Sequence, residues 1–276
     1  MNGAGLGPGL EPGLGHGVEG LFSQTLLLAI AVTRVATAFS VLPLLSQDVI
    51  MPMVRNSLFM GFSLVVLAMQ PAVLSLHPSA PEWVALFARE ATIGLVIGFL
   101  FGVVLWAFQT AGQIIDIKTG ATMAQIVDPL SGEQTSLSGA FLGRLGNFAF
   151  VMSGGLLALT TVLLQSYAIW PLSASAPHFT LRGVGVFETG FSNLMGEALI
   201  FAAPALVILT VVEAGMGLAN RFAPQLNVFS MSLSIKAWLA TLILLATSGL
   251  MVQALLDDLA TRSPMVIDVL KAFARL

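Results

Sequence analysis

Charged side chains recur where a chain this apolar should not tolerate them. Arg34, Arg89, Glu90, Arg144, Glu197 and Glu213 all fall inside long apolar runs. A charge at bilayer depth costs about 2.5–3.5 kcal/mol or more unless it is paired or solvated. Such groups mark an ion or proton path, a subunit-contact ion pair, or a side chain snorkelling to a nearby interface. A proton relay needs several such groups on facing helices, a placement that spacing alone does not establish. A second set (Asp116, Lys118, Asp128 and Glu133) lies in a polar segment between two apolar runs.

Other chemistries find little to work with. The chain has no cysteine, and its histidines (His16, His77 and His178) fall in or beside loops, so no clustered imidazoles or thiolates predict a zinc or haem site. No cofactor is expected. The Gly-x-Ser-Gly and His-Glu-x-x-His signatures of intramembrane proteases are missing, and Asp116 and Asp128 lie outside the apolar runs. No glycine loop with Lys-Ser/Thr offers a phosphate cradle. An enzyme is not expected. Net charge is −3 with no basic stripe, which argues against nucleic acid.

The elements that must position these groups are apolar helices. Of 276 residues, 57% are hydrophobic and 9% charged, and mean hydropathy is +0.93. A soluble domain carries about 25% charged residues, so lipid or partner proteins must cover much of this surface. Six apolar runs approach the ~20 residues of a spanning helix: roughly 21–45, 57–76, 83–109, 141–167, 195–219 and 235–256. They are too long and continuous for barrel strands. The fold class is an all-α, multi-pass integral membrane protein of about six long helices or helical hairpins. Residues 1–19 read as a flexible Gly/Pro-rich tail, 20–260 as the helical domain and 261–276 as a short C-terminal tail.

If all six runs cross, one side holds Arg55, Lys118, Arg144, Arg221 and Lys236, and the other Arg182, Arg262, Lys271 and Arg275. That split gives no usable orientation. Gly94, Gly98 and Gly102 repeat every four residues and line one helix face, where bare backbone admits another helix of this or a neighbouring chain. Gly139 and Gly143 repeat the pattern.

The segment 110–136, TAGQIIDIKTGATMAQIVDPLSGEQTS, is both polar and apolar. Gly112, Gly120 and Gly132 permit tight turns, and Asp128–Pro129 stops a helix. Ile114, Ile115, Met123 and Ile126 are too apolar for a freely solvated loop. Either a pore-lining or re-entrant element, tolerated only against protein or a water-filled cavity, or a connection packed on the membrane surface fits this pattern.

This segment resembles the signature of the T subunit of the type III secretion export apparatus and, more loosely, of the flagellar export protein FliR. Three further stretches agree in order: TRVATAFSVLPLLSQDVIMPMVRNS, SYAIWP and NRFAPQLNVFSMSLSIK. The Gly-Glu-Gln-Thr-Ser ending favours the injectisome branch; the Gly-rich N-terminal stretch departs from the pattern. The resemblance implies an export-gate subunit of the bacterial inner membrane. It would assemble with R-type and Q/S-type subunits and other export-apparatus membrane proteins around unfolded secreted polypeptides. Spans counted by hydropathy need not then be true crossings. It also implies a channel plug carried by Gly112, Asp116, Gly120, Asp128, Pro129 and Gly132. Ile114, Ile115 and Met123 would then pack across the passage, and Asp116, Lys118, Asp128 and Glu133 would hold the plug to neighbouring subunits.

Partner contacts are expected at Arg34, Gly94, Gly98, Gly102 and Glu213. They are expected also along the Pro-broken stretch of Arg221, Pro224, Gln225, Asn227 and Lys236. The rival of another class is a small-molecule secondary transporter, which wants an inverted repeat; none is evident between residues 21–140 and 141–256.

Overall fold

The computed structural model describes residues 13–45, 51–70, 79–121, 136–172, 181–222 and 228–274. All regular structure among them is helical. The elements are α1 (Gly13–Val41), α2 (Pro52–Met69), α3 (Ala80–Thr119), α4 (Leu137–Met152), α5 (Gly155–Ile169), α6 (Leu181–Phe222) and α7 (Val228–Ala274), with a 3₁₀ turn at Pro43–Leu45. The all-α class expected from continuous apolar runs is observed.

The helix α3 is the axis of the molecule. It starts with a capping box, in which the Ser79 backbone N–H donates to Glu82 Oε2 at 2.7 Å and proline occupies the first turn. It stops at Gly120, whose φ of 81° is open to glycine at little steric cost. Between these ends it is apolar on all sides and largely buried, as an axial helix must be.

Two tiers of helices surround it, α2 packing on α1 rather than on α3 and α5 chiefly on α7. Around its first half lie α1, α2 and α5: Gly94 meets the backbone of Arg34, Gly98 meets that of Ala38, and Phe39 stacks on Phe59 and Phe62. Around its second half lie α4, α6 and α7. Phe150 meets Phe101 edge-on, Phe201 meets Phe108, and Leu233 reaches Gly120. The contacts Arg34–Glu90 and Ala38–Gly98 make α1 parallel to α3, whereas Gly112–Ser138 and Phe101–Phe150 make α4 antiparallel.

Length sets this design apart from a simple bundle of spans. α3 has 40 residues and α7 has 47. At 1.5 Å per residue these rise about 60 and 70 Å, twice the ~30 Å hydrocarbon core. Among the described residues four helices are long and apolar enough to cross a membrane, or five if the bent α4–α5 pair is one span.

Three expectations change. The fourth apolar run is two helices meeting at 67°, because Gly154 adopts a φ of 82° after Ser153 ends α4. The supposed C-terminal tail from residue 261 continues α7 to Ala274, with Val266 and Leu270 buried in the core. Its few charges obscured a helical apolar stripe. At the other end, residues 13–19 of the expected tail are the first turns of α1.

Candidate functional site

Among the described residues, four clusters of paired polar side chains stand out, and two of them lie at the end of α3 and the start of α4. Asp116, in the last turns of α3, is buried. Its Oδ2 accepts from the Ser136 hydroxyl at 2.6 Å and from the Ser138 backbone N–H at 2.9 Å. Ser136 is itself the N-cap of α4, accepting from Gly139 N–H at 2.9 Å. One carboxylate thus satisfies orphan donors at the start of α4 and adds favourable negative charge at its N-terminus. Asp116 and Ser136 tie the end of α3 directly to the start of α4.

Two residues on, Lys118 donates to Glu213 of α6 at 2.6 Å, and Lys236 of α7 reaches the other Glu213 oxygen at 3.4 Å. This triad joins α3, α6 and α7 beside the same root. Glu213 is about half exposed, so the links are adjustable rather than rigid.

The third cluster is deep in the first tier. Arg34 is fully buried and donates to Glu90 Oε2 at 2.7 Å, to the Ser166 hydroxyl at 2.9 Å and to the Trp170 carbonyl at 3.1 Å. Its guanidinium lies 3.9 Å from the centre of the Tyr167 ring. Arg89 donates to the other Glu90 oxygen at 2.7 Å and to the Leu172 carbonyl at 2.9 Å. Two cations thus surround one carboxylate and also occupy carbonyls at and beyond the C-terminal end of α5, where positive charge is favoured. Gln70 completes the joint, donating to the Tyr167 carbonyl at 2.6 Å and accepting from Leu172 N–H at 3.0 Å.

The fourth cluster joins the tiers. Arg262 of α7 pairs with Asp258 one turn earlier, with Glu197 of α6 and with the Leu100 carbonyl of α3.

Several candidate residues take roles other than those expected. Residues 110–119 are helix, not loop, because an apolar stripe carries α3 through to Gly120. Gly112 is no hinge; a Cβ there would sit 2.4 Å from the Ser138 carbonyl oxygen, so glycine lets α4 approach. Ile115 is wholly buried in this chain's own core and Ile114 packs against that core, so neither lies free to cross a passage. Asp116 and Lys118 bind within the chain rather than to a neighbour.

Arg34, Gly94 and Gly98 are likewise internal, tying α1 to α3, and Gly102 lies under the ring of Trp106 of the same helix. Their expected partner contacts give way to intrachain packing. Glu213 and Lys236 pair with each other, with Glu213 still accessible, and Arg221 is exposed at the end of α6. Met123, Asp128, Pro129, Gly132, Glu133, Pro224, Gln225 and Asn227 lie outside the described residues.

The Glu90 and Arg262 networks were not foreseen as clusters. Their signals were present in the adjacent Arg89–Glu90 pair and in Asp258 four residues before Arg262, the spacing of a helical ion pair. Ser136 does donate to a carboxylate, but its oxygen serves as the N-cap of α4, accepting from Gly139 N–H. No group of acidic or imidazole side chains suited to a metal ion occurs among the described residues.

A helical body whose polar groups clamp helices and one connecting segment is a scaffold, and comparison with known proteins identifies its kind. The model of the family "Bacterial export proteins, family 1" matches residues 25–261. The chain belongs to this family. It is 34% identical over 228 residues to the Yop proteins translocation protein T of Yersinia pestis, covering 81% of this chain and 85% of that one. The surface presentation of antigens protein SpaR of Salmonella typhimurium is 32% identical over 220 residues, 79% of this chain and 81% of its own. The flagellar biosynthetic protein FliR of Bacillus subtilis is 26% identical over 220 residues, 78% of this chain and 82% of its own. Family membership together with the long apolar helices makes this a multi-pass protein of the bacterial inner membrane. It displaces the small-molecule transporter that composition alone allowed.

Proposed function

We propose that this chain is a core subunit of a type III secretion export gate, and that the segment between α3 and α4 is its stopper. The higher identity to the Yop translocation protein and SpaR than to FliR supports the injectisome branch over the flagellar one. The role is structural rather than catalytic. R-type and Q/S-type subunits would complete the conduit, and unfolded secreted proteins would be its cargo.

The observation that carries the stopper reading is the pinned root. Asp116 binds both Ser136 and the first turn of α4, while Lys118 ties the end of α3 to α6 and α7 through Glu213. A connection with fixed feet can fill or clear a passage without disturbing the wall. The proposed stopper is therefore narrower than the glycine spacing suggested, since residues 110–119 belong to α3 and Gly120 caps it. Met123, Asp128, Pro129, Gly132 and Glu133 belong to the stopper.

The test is deletion of residues 124–131 in cells that assemble the apparatus, with ion leakage and secretion both measured. Leakage should rise while Ser136, Asp116 and the complex stay in place. Unchanged leakage and unchanged secretion in an assembled complex would defeat the stopper reading.

A further inference from the structure

We infer that one anionic phospholipid binds on the α2 face of the first tier, its phosphate on Arg55 and an acyl chain in the groove between α2 and α5. α2 has 18 residues, so it rises about 27 Å, close to the hydrocarbon thickness. Arg55 lies in its first turn, which a bilayer crossed by α2 would meet at the level of the headgroups. Helical side chains lean toward the N-terminus, which carries its guanidinium outward rather than into the hydrocarbon.

Its Nε is shut off from solvent and has no hydrogen-bond partner. That contrasts with Arg34, Arg89 and Arg262, each held by a carboxylate. The residue as a whole is only half-buried, so a phosphate from outside the chain can meet the part of the guanidinium that solvent reaches and supply the acceptor the chain does not.

Directly below, the same helix face turns apolar. Leu58, Phe59 and Phe62 follow Arg55 at spacings of three, four and seven residues, and so lie about 5–10 Å deeper. With Phe39, Leu156 and Leu157 they line a groove of about 320 Å³. Its one polar lining residue, Thr160, already donates to the Leu157 carbonyl at 2.9 Å. Nothing polar remains there to be satisfied, so the groove takes hydrocarbon. A cation at the interface above a hydrocarbon slot matches one phospholipid, headgroup and chain together.

The export complex, purified from membranes and stripped of loosely held lipid, can be titrated with phosphatidylglycerol or phosphatidylcholine and read by native mass spectrometry. One adduct per copy of this chain is expected, with phosphatidylglycerol preferred about fivefold, the factor one basic residue near an anionic surface supplies. R55Q should remove that preference and leave weak binding of both lipids. R55K should keep most of it. L157W, at a position 71% exposed and so tolerant of bulk, should fill the groove and abolish both adducts. A preference that survives R55Q overturns the assignment. So does lipid uptake unaffected by L157W, or a crosslink from the groove to a neighbouring subunit in place of any adduct.

Discussion

Removing the carboxylate of Glu90 should be the most damaging single change in the first tier. Glu90 and Arg34 are both fully buried, and Arg89 nearly so. Each arginine approaches Glu90 to 2.7 Å, and at an effective dielectric of about 20 such a contact amounts to roughly 6 kcal/mol of Coulomb attraction. Desolvation of the three ions opposes most of it, so the net worth of the cluster is far smaller. Deleting the shared partner leaves the desolvation without the compensation, a loss of about 3–5 kcal/mol for a broken buried pair. Glu90→Ala strands two cations in an apolar tier, whereas Arg34→Met leaves Glu90 matched one-to-one with Arg89. The second change forfeits the Ser166 and Trp170 hydrogen bonds, about 1–3 kcal/mol. In thermal unfolding of the detergent-purified protein, E90A should lower Tm by about 10 °C, taking about 2–4 °C per kcal/mol for a chain near this size. R34M should lower it by clearly less. Equal losses, or R34M the worse of the two, would refute the claim that charge balance organises this cluster.

Other consequences are as direct. Gly98→Ala would set its Cβ 2.3 Å from the Ala38 carbonyl oxygen and push α1 from α3, whereas Gly61→Ala meets nothing within 4 Å; only the first should lower Tm. Asp116→Ala should loosen the stopper's feet and raise ion leakage, and Asp116→Asn should rescue, since one oxygen accepts both hydrogen bonds and an amide oxygen can do the same. Glu213→Gln breaks a half-exposed pair, so stability should change by less than about 1 kcal/mol, checked by the same unfolding assay. Truncation after Leu259 removes Arg262, which bonds α3 and α6, together with the buried Val266 and Leu270, and should reduce the amount of full complex recovered from membranes.

What could be read from the chain, and what could not, follows from the kind of information each feature carries. Helical class is a local property, fixed by hydropathy over ~20 residues, and it is observed; the expected six long helices become four, or five with the bent α4–α5 pair, among the described residues. Where a helix ends inside an apolar run is decided by one backbone conformation. Gly154 at φ 82° splits the fourth run, while Gly112, equally a glycine, sits in unbroken helix because α4 packs on it. Hydropathy cannot separate those two cases; only the neighbour does. The same holds for charge. Arg34 looks from its position like a group awaiting a partner subunit, but its partner is Glu90, fifty-six residues away in the same chain.

Helix length was the least visible property and matters most for the assembly. Continuations of α3 past residue 109 and of α7 past residue 256 carry Asp116, Lys118, Asp258 and Arg262, polar residues that mark the end of a span by composition. Each is hydrogen-bonded or ion-paired across a helix interface or one turn away, so the helix continues. A membrane subunit with helices about 60–70 Å long presents more surface along its axis than a bilayer with a ~30 Å core can cover. The exposed apolar residues of the second tier, among them Val207, Val211, Leu218, Trp238, Leu242 and Leu245, therefore call for protein neighbours as well as lipid. Helices about twice as long as the hydrocarbon core also leave open where along them a bilayer sits, so counting loop charges between apolar runs gives no usable orientation.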